Sequence, residues 1–189
     1  MIANANIPAF EGRYDSEVGE TDEIPWLDES EQRVWRSLIG ATGELMATLD
    51  AELQAAHGLS GADYEVLVNL SEAPDRRMRM TDLAIALHLS PSGLTRRLDV
   101  LARRGWVRRE RCPSDRRGTF AVLTDDGYEQ IVQAAPTHVR GVREHFINRL
   151  TPRQLANLGA ALSIVAPDGG RGVAACAEAH EGAKPSRRR

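Results

Sequence analysis

Twelve arginines fall between Arg76 and Arg117 against four acids (Asp82, Asp99, Glu110 and Asp115), so this stretch carries a formal charge of +8. Arginine at that density offers planar, permanently charged donors to phosphate oxygens and to the acceptor edge of guanine. Two patterns within it sharpen that chemistry. In the run Ser90-Pro91-Ser92-Gly93-Leu94-Thr95-Arg96-Arg97, hydroxylated residues and a pair of arginines stand at the expected start of a helix. Free backbone N–H groups at such a start already favour an anion. In Asp115-Arg116-Arg117, two arginines sit at the tip of the turn-rich segment CPSDRRG, a shape suited to the strong negative potential of a narrow minor groove. The candidate DNA-contacting residues are therefore Ser90, Ser92, Thr95, Arg96, Arg97, Arg116 and Arg117, with Asp115 beside the last two at the tip. Arg96 is the one best placed for a bidentate bond to guanine. Gly93 gives up roughly 1 kcal/mol of helix propensity, and the missing side chain lets a duplex approach.

Other chemistries find little support. There is no Gly-rich phosphate loop, nucleophile elbow or zinc-protease motif, and no pair of carboxylates stands out, so no enzyme, cofactor or metal is expected. His138 and His145 are seven residues apart, on one helix face but too distant to share an ion. Cys112 and Cys176 have neither metal-like nor framework spacing, which makes a reduced, cytoplasmic protein the default. Cys112 stands among arginines, and redox sensing is the lesser reading there. No run of about 18 apolar residues occurs, and the first residues, MIANANIPAFEGRYDSEVGE, lack the basic start and apolar stretch of a signal peptide. The net charge of −3 hides a separation, because nine acids between Glu11 and Glu31 face Arg13 alone. Local field, rather than net charge, steers a polyanion to a surface.

The elements that must position the arginines can be read from periodicity. Residues 1–28 have none, and are expected to form an acidic, mobile arm. Val34, Leu38, Ala41, Leu45, Leu49 and Leu53 recur at helical spacing up to Gly58, with Trp35, Ile39 and Met46 broadening the face. Ser60 and Asp63 start a second helix, and Thr81 is expected to cap a brief third. Ser90 caps a fourth, with Pro91 at its first position, where the missing N–H costs nothing. Its residues Leu94, Leu98 and Leu101 face one way, while Ser92, Arg96, Asp99 and Arg103 face the other. Val107–Arg111 and Thr119–Leu123 read as strands of a hairpin. Thr124 opens a long helix expected to reach Leu150, interrupted or kinked at Pro136. Thr151, Pro152 and Gln154 start a last one ending near Val165. Residues 166–189, rich in Gly, Ala and charge, are expected to be a disordered tail. The expected fold class is mainly α with a small β-hairpin wing, a winged helix-turn-helix. Residues 29–165 are expected to form the domain, with 59–124 as the DNA-binding lobe.

The segment Asp115-Arg116-Arg117-Gly118-Thr119-Phe120-Ala121-Val122-Leu123-Thr124 resembles the Asp-x-Arg-x5-Leu-Thr wing signature of MarR-type transcriptional regulators. Leu83, Ala84, Leu87, Ser90, Leu98, Leu101 and Gly105 are similar to that family's helix–turn–helix, and the element order fits from about Glu29 to Val165. The resemblance implies a homodimer, with residues 29–58 and 125–165 as its helical dimerisation region, most often a repressor, on a palindromic operator with half-sites about 10 bp apart. It makes Arg117 the minor-groove residue and Asp115 the group that positions the tip, with Arg116 on phosphate. It further implies release from DNA by a small aromatic or anionic ligand held between the dimer and DNA-binding regions, for which Trp26, Trp35, His57, Tyr64 and Arg76 are the candidates. Peroxide-sensing members carry their cysteine near the first helix, where this chain has none. Another class of function stays open at this point: a winged helix that binds an acidic protein partner and has no DNA sequence preference.

Overall fold

The computed structural model describes residues 26–112 and 115–166, with backbone only at positions 112 and 115–117. The expected arm before Trp26, the expected tail after Ala166 and the side chains of Asp115, Arg116 and Arg117 lie outside the described residues. In chain order the elements are α1 (Glu29–His57), α2 (Gly61–Glu72), a 3-10 turn (Pro74–Arg76), β1 (Arg77–Arg79) and α3 (Met80–Ala86). There follow α4 (Pro91–Arg103), β2 (Val107–Cys112), β3 (Asp115–Leu123), α5 (Asp125–His145), a second 3-10 turn (Ile147–Arg149) and α6 (Pro152–Val165). The chain divides into two compact units, up to Leu38 and from Ile39 onward.

In the first unit, the Asp28 carboxylate accepts the Glu31 N–H at 2.9 Å, and the Glu31 carboxylate accepts the Asp28 N–H at 2.8 Å. This reciprocal capping box explains where α1 starts. The Ser30 hydroxyl, and then the Glu31 N–H, hold the Asp28 carboxyl below its usual pKa. Val34, Trp35 and Leu38 are exposed along the helix.

In the second unit the core is aliphatic. Leu53, Leu59, Val66, Leu67, Leu70, Leu83, Leu94, Leu98 and Leu101 are fully enclosed, joined by Val107, Ala121 and Leu123 from the sheet and Ile131 and Ala134 from α5. Helix ends follow the local chemistry of the chain. Ser60, Ser90, Thr124 and Thr151 each accept a backbone N–H three residues on, and Thr151 with Gln154 completes a second capping box. Gly58 (φ +61°) and Gly105 (φ +77°) take the left-handed turns that end α1 and α4, conformations that cost a residue with a Cβ.

Three features differ from the sequence expectation. The hairpin has a third strand: β1 pairs with β3, Arg77 opposite Val122 and Arg79 opposite Phe120, giving an antiparallel sheet in the order β1-β3-β2. Thr81 caps nothing, because α3 begins at Met80, two residues earlier than a Thr81 cap would have it, as the chain leaves that strand; the Thr81 hydroxyl bonds Asp82 instead. Finally, α5 runs through Pro136 but ends at His145 rather than Leu150. A 3-10 turn replaces its last part, and Leu150 and Thr151 are extended, as the start of α6 before Pro152 requires. Pro136 and Val132 lie on the exposed side of α5, so the carbonyl that loses its donor is open to water.

Candidate nucleic-acid interface

The candidate recognition element is α4, and its orientation is fixed by burial. Leu94, Leu98 and Leu101 have no exposed surface and lock one side of the helix into the core. At 3.6 residues per turn, Ser92, Arg96, Asp99 and Arg103 must then face outward. Ser90 accepts the Gly93 N–H at 3.1 Å and shares a 3.3 Å hydroxyl contact with Ser92, so both hydroxyls are held at the helix N-terminus. The Thr95 hydroxyl turns back to the Pro91 carbonyl at 2.8 Å, leaving its methyl group to the surface. Among the described residues, nothing bonds to the exposed Arg96 side chain. It is the arginine of this helix start that is available to a ligand.

Arg97 is expected on a flank of the same side, but its guanidinium is drawn inward onto Asp63 of α2 at 3.0 Å, with the carboxylate largely buried. Arg104 donates to the Gly58 carbonyl at 2.7 Å and lies over the Trp106 ring. These two arginines hold α4 against the end of α1 and the start of α2. The basic stretch is therefore partly structural scaffold, and its free members are fewer than its sequence suggests. Helical spacing separates Arg97, on the flank, from outward Arg96, but nothing local names its partner, and Asp63 reads in the sequence only as a helix-start residue.

The wing flanks α4. β2 and β3 pair antiparallel from Val107 opposite Leu123 out to Arg111 opposite Thr119, with a register shift before Cys112 pairs with Asp115. Arg108 pairs with Glu110 along β2. Arg109 reaches across to α4, donating to the Thr95 carbonyl at 2.9 Å and to the Asp99 carboxylate at 2.9 Å. A cleft of about 540 Å³ opens between wing and helices, lined by Arg79, Thr81, Thr95, Arg109 and Thr119 among others. Its lining is mixed, three threonines beside the Arg79 and Arg109 side chains, the second of them already engaged by the Asp99 carboxylate.

The expected ligand-lining residues are divided between the two units. Trp26 and Trp35 belong to the unit that ends at Leu38, and both are exposed there. In the other unit, His57 bonds the Thr137 hydroxyl at 2.9 Å, and Tyr64 stacks at 4.8 Å against His138. His57 and Tyr64 thus meet the same turn of α5. Among the described residues His138 Nδ1 is buried without a hydrogen-bond partner, and burial pushes its pKa below the usual histidine value. Arg76 lies elsewhere, on the Asp125 carboxylate at 3.2 Å and 3.8 Å above the Tyr128 ring. Tyr128 is roughly 15 Å from His138 along α5 at 1.5 Å per residue. His145 bonds Glu52 at 2.6 Å, apart from His138, and no cluster of metal ligands occurs among the described residues. No described helix is long and apolar enough to cross a membrane.

This arrangement has close counterparts. A profile of the MarR family matches residues 57–118, which run from the end of α1 to the wing. The crystal structure of Sco3205, a MarR family transcriptional regulator from Streptomyces coelicolor in complex with DNA, is similar at 47% identity and a TM-score of 0.72, over 76% of this chain and 91% of that one. AbsC, a MarR family transcriptional regulator from the same organism, is similar at 45% identity and a TM-score of 0.71, over 76% and 97% of the two chains. The transcriptional repressor YetL of Bacillus subtilis is 34% identical over 84 residues, 44% of this chain and half of YetL's own length.

Proposed function

Since the chain belongs to the MarR family of DNA-binding transcriptional regulators, we propose that it binds a palindromic operator as a homodimer, acts there as a repressor, and is released by a small aromatic or anionic ligand. The observation that carries the DNA-reading part is the outward side of α4, where exposed Arg96 has no partner among the described residues and follows the Ser90–Ser92 helix start. Ser90, Ser92 and Thr95 approach phosphates and base edges, Arg96 reads a base, and Arg117, positioned by Asp115, enters the minor groove while Arg116 meets phosphate. Arg97 keeps α4 in place through Asp63. Dimerisation is supported by the apolar surface of each unit: Val34, Trp35 and Leu38 in the first, and Ile39, Met46, Val139, Leu162, Ile164 and Val165 in the second. Surface of that kind, in one chain, calls for a partner. Ligand release rests on the half-buried His57 and the Tyr64–His138 contact beside the DNA-binding lobe.

Selection of DNA from a random pool tests this reading. A palindromic motif with half-sites about one helical turn (~10 bp) apart is expected, and salt-sensitive binding without any motif would overturn it. On the selected site, Arg117→Ala is expected to weaken binding about ten-fold or more, through loss of a charge-assisted groove contact. Unchanged affinity would remove the wing tip from the mechanism. Arg96→Ala should lose preference at one base position in each half-site, worth about 1–3 kcal/mol between the right and wrong base. Competition binding against single-base variants reads this directly. A uniform loss over all variants would assign Arg96 to phosphate.

A further inference from the structure

On the outward side of α4, Asp99 is the one acid among Ser92, Arg96 and Arg103. A free carboxylate there would repel the duplex that the helix is meant to meet. It is not free. Arg109 comes from β2, where it pairs across Ala121, a residue with no exposed surface, so its side chain starts on the sheet face turned toward the helices. Its two terminal nitrogens divide between the Thr95 carbonyl and the Asp99 carboxylate, both at 2.9 Å. Thr95 and Asp99 are one helical turn apart, and inside α4 the Asp99 N–H also points to the Thr95 carbonyl. One planar guanidinium therefore clamps a full turn of α4, using the second lone pair of a helix carbonyl and a charge. Both side chains are only half exposed.

We infer that Asp99 and Arg109 form a positioning pair that sets the angle of the wing against α4, and that the charge of Arg109 is spent inside the protein rather than on DNA. This rests on the reading of α4 and the wing as the DNA interface. The wing is otherwise a hairpin extending away from its base, and a small change of tilt there displaces its tip by several times more. A fixed tilt lets one protomer read a major groove and the adjoining minor groove in a single register.

The test uses the sign of an electrostatic effect. Asp99→Ala removes a negative charge from a DNA-facing side, which by charge alone should tighten binding. The positioning role predicts the opposite: affinity for the selected operator about ten-fold weaker, with the double variant Asp99→Ala/Arg109→Ala no weaker than Arg109→Ala alone. Hydroxyl-radical footprints should lose the protected flanks that the wing covers and keep the central protection that α4 gives. Asp99→Asn, which keeps an acceptor for Arg109, should recover most of the affinity, and it carries the test if the alanine variant folds poorly. Equal or tighter binding by Asp99→Ala, or additive single effects, would overturn the pair while leaving the functional reading intact. Absence of any preferred sequence for the unaltered protein would instead overturn that reading and the pair with it.

Discussion

Replacing Gly127 by alanine is expected to destabilise the second unit by about 3 kcal/mol, the upper part of the range for forced overpacking. The reason is a backbone, which cannot rotate away. A Cβ at this position would lie 2.2 Å from the Trp106 carbonyl oxygen and 2.8 Å from the Leu123 side chain. That carbonyl is held in place because it accepts the Thr124 N–H at 3.1 Å, while the Thr124 hydroxyl donates to the Gly105 carbonyl at 2.7 Å. The end of α4, the start of β2 and the first turn of α5 thus meet over one glycine, and a methyl group there must push at least one of them aside. Urea unfolding should show a lower midpoint with an unchanged slope, the sign of lost stability without a changed unfolded state. A midpoint within error of the parent would mean that α5 shifts freely along the lobe.

Leu98→Ala should cost more, about 4 kcal/mol, within the range for aliphatic truncation at a fully enclosed site. Leu98 has no exposed surface and lies on α4 between Leu94 and Leu101, which have none either. Its neighbours come from several elements, so the cavity has no single flexible wall to close it. Against a total of about 5–15 kcal/mol for a domain, such a loss removes a large share of the stability and lowers the melting temperature. Operator binding should then fall steeply on warming while staying close to the parent value in the cold. Binding that is weak at every temperature, with a normal melting curve, would show that Leu98 acts on DNA rather than on folding.

The sequence disclosed the elements whose signals are local. Ser60, Ser90, Thr124 and Thr151 announce helix starts, because a side-chain oxygen three residues ahead of an unpaired N–H is a matter of short-range geometry. Gly58 and Gly105 mark helix ends for the same reason. Periodicity likewise turned the leucines of α4 inward and Arg96 outward. Partners distant in sequence were the harder part. β1 is three residues long, too short for an alternation to register, and its strand character comes from β3. Arg97 and Arg109 look like their neighbours in a list of arginines, and only Asp63 and Asp99, brought close by the fold, set them apart. Charge density therefore marks a candidate surface, whereas which of its charges are engaged within the fold is decided by tertiary pairing.

The pairing of β1 with β3 also dictates when this protein can come into being. Arg77 finds its partner at Val122 only after the helix–turn–helix and the whole of β2 have been made. Closing so long a loop costs entropy before any strand contact repays it. On the ribosome, the two reading helices emerge well before the strand that seals their sheet, and a transcript broken off short of Phe120 yields an open-edged fragment, a target for proteolysis rather than a smaller regulator. Synthesis of the sheet is thus completed only at the return strand of the wing, and the core only when Ile131 and Ala134 of α5 have followed it.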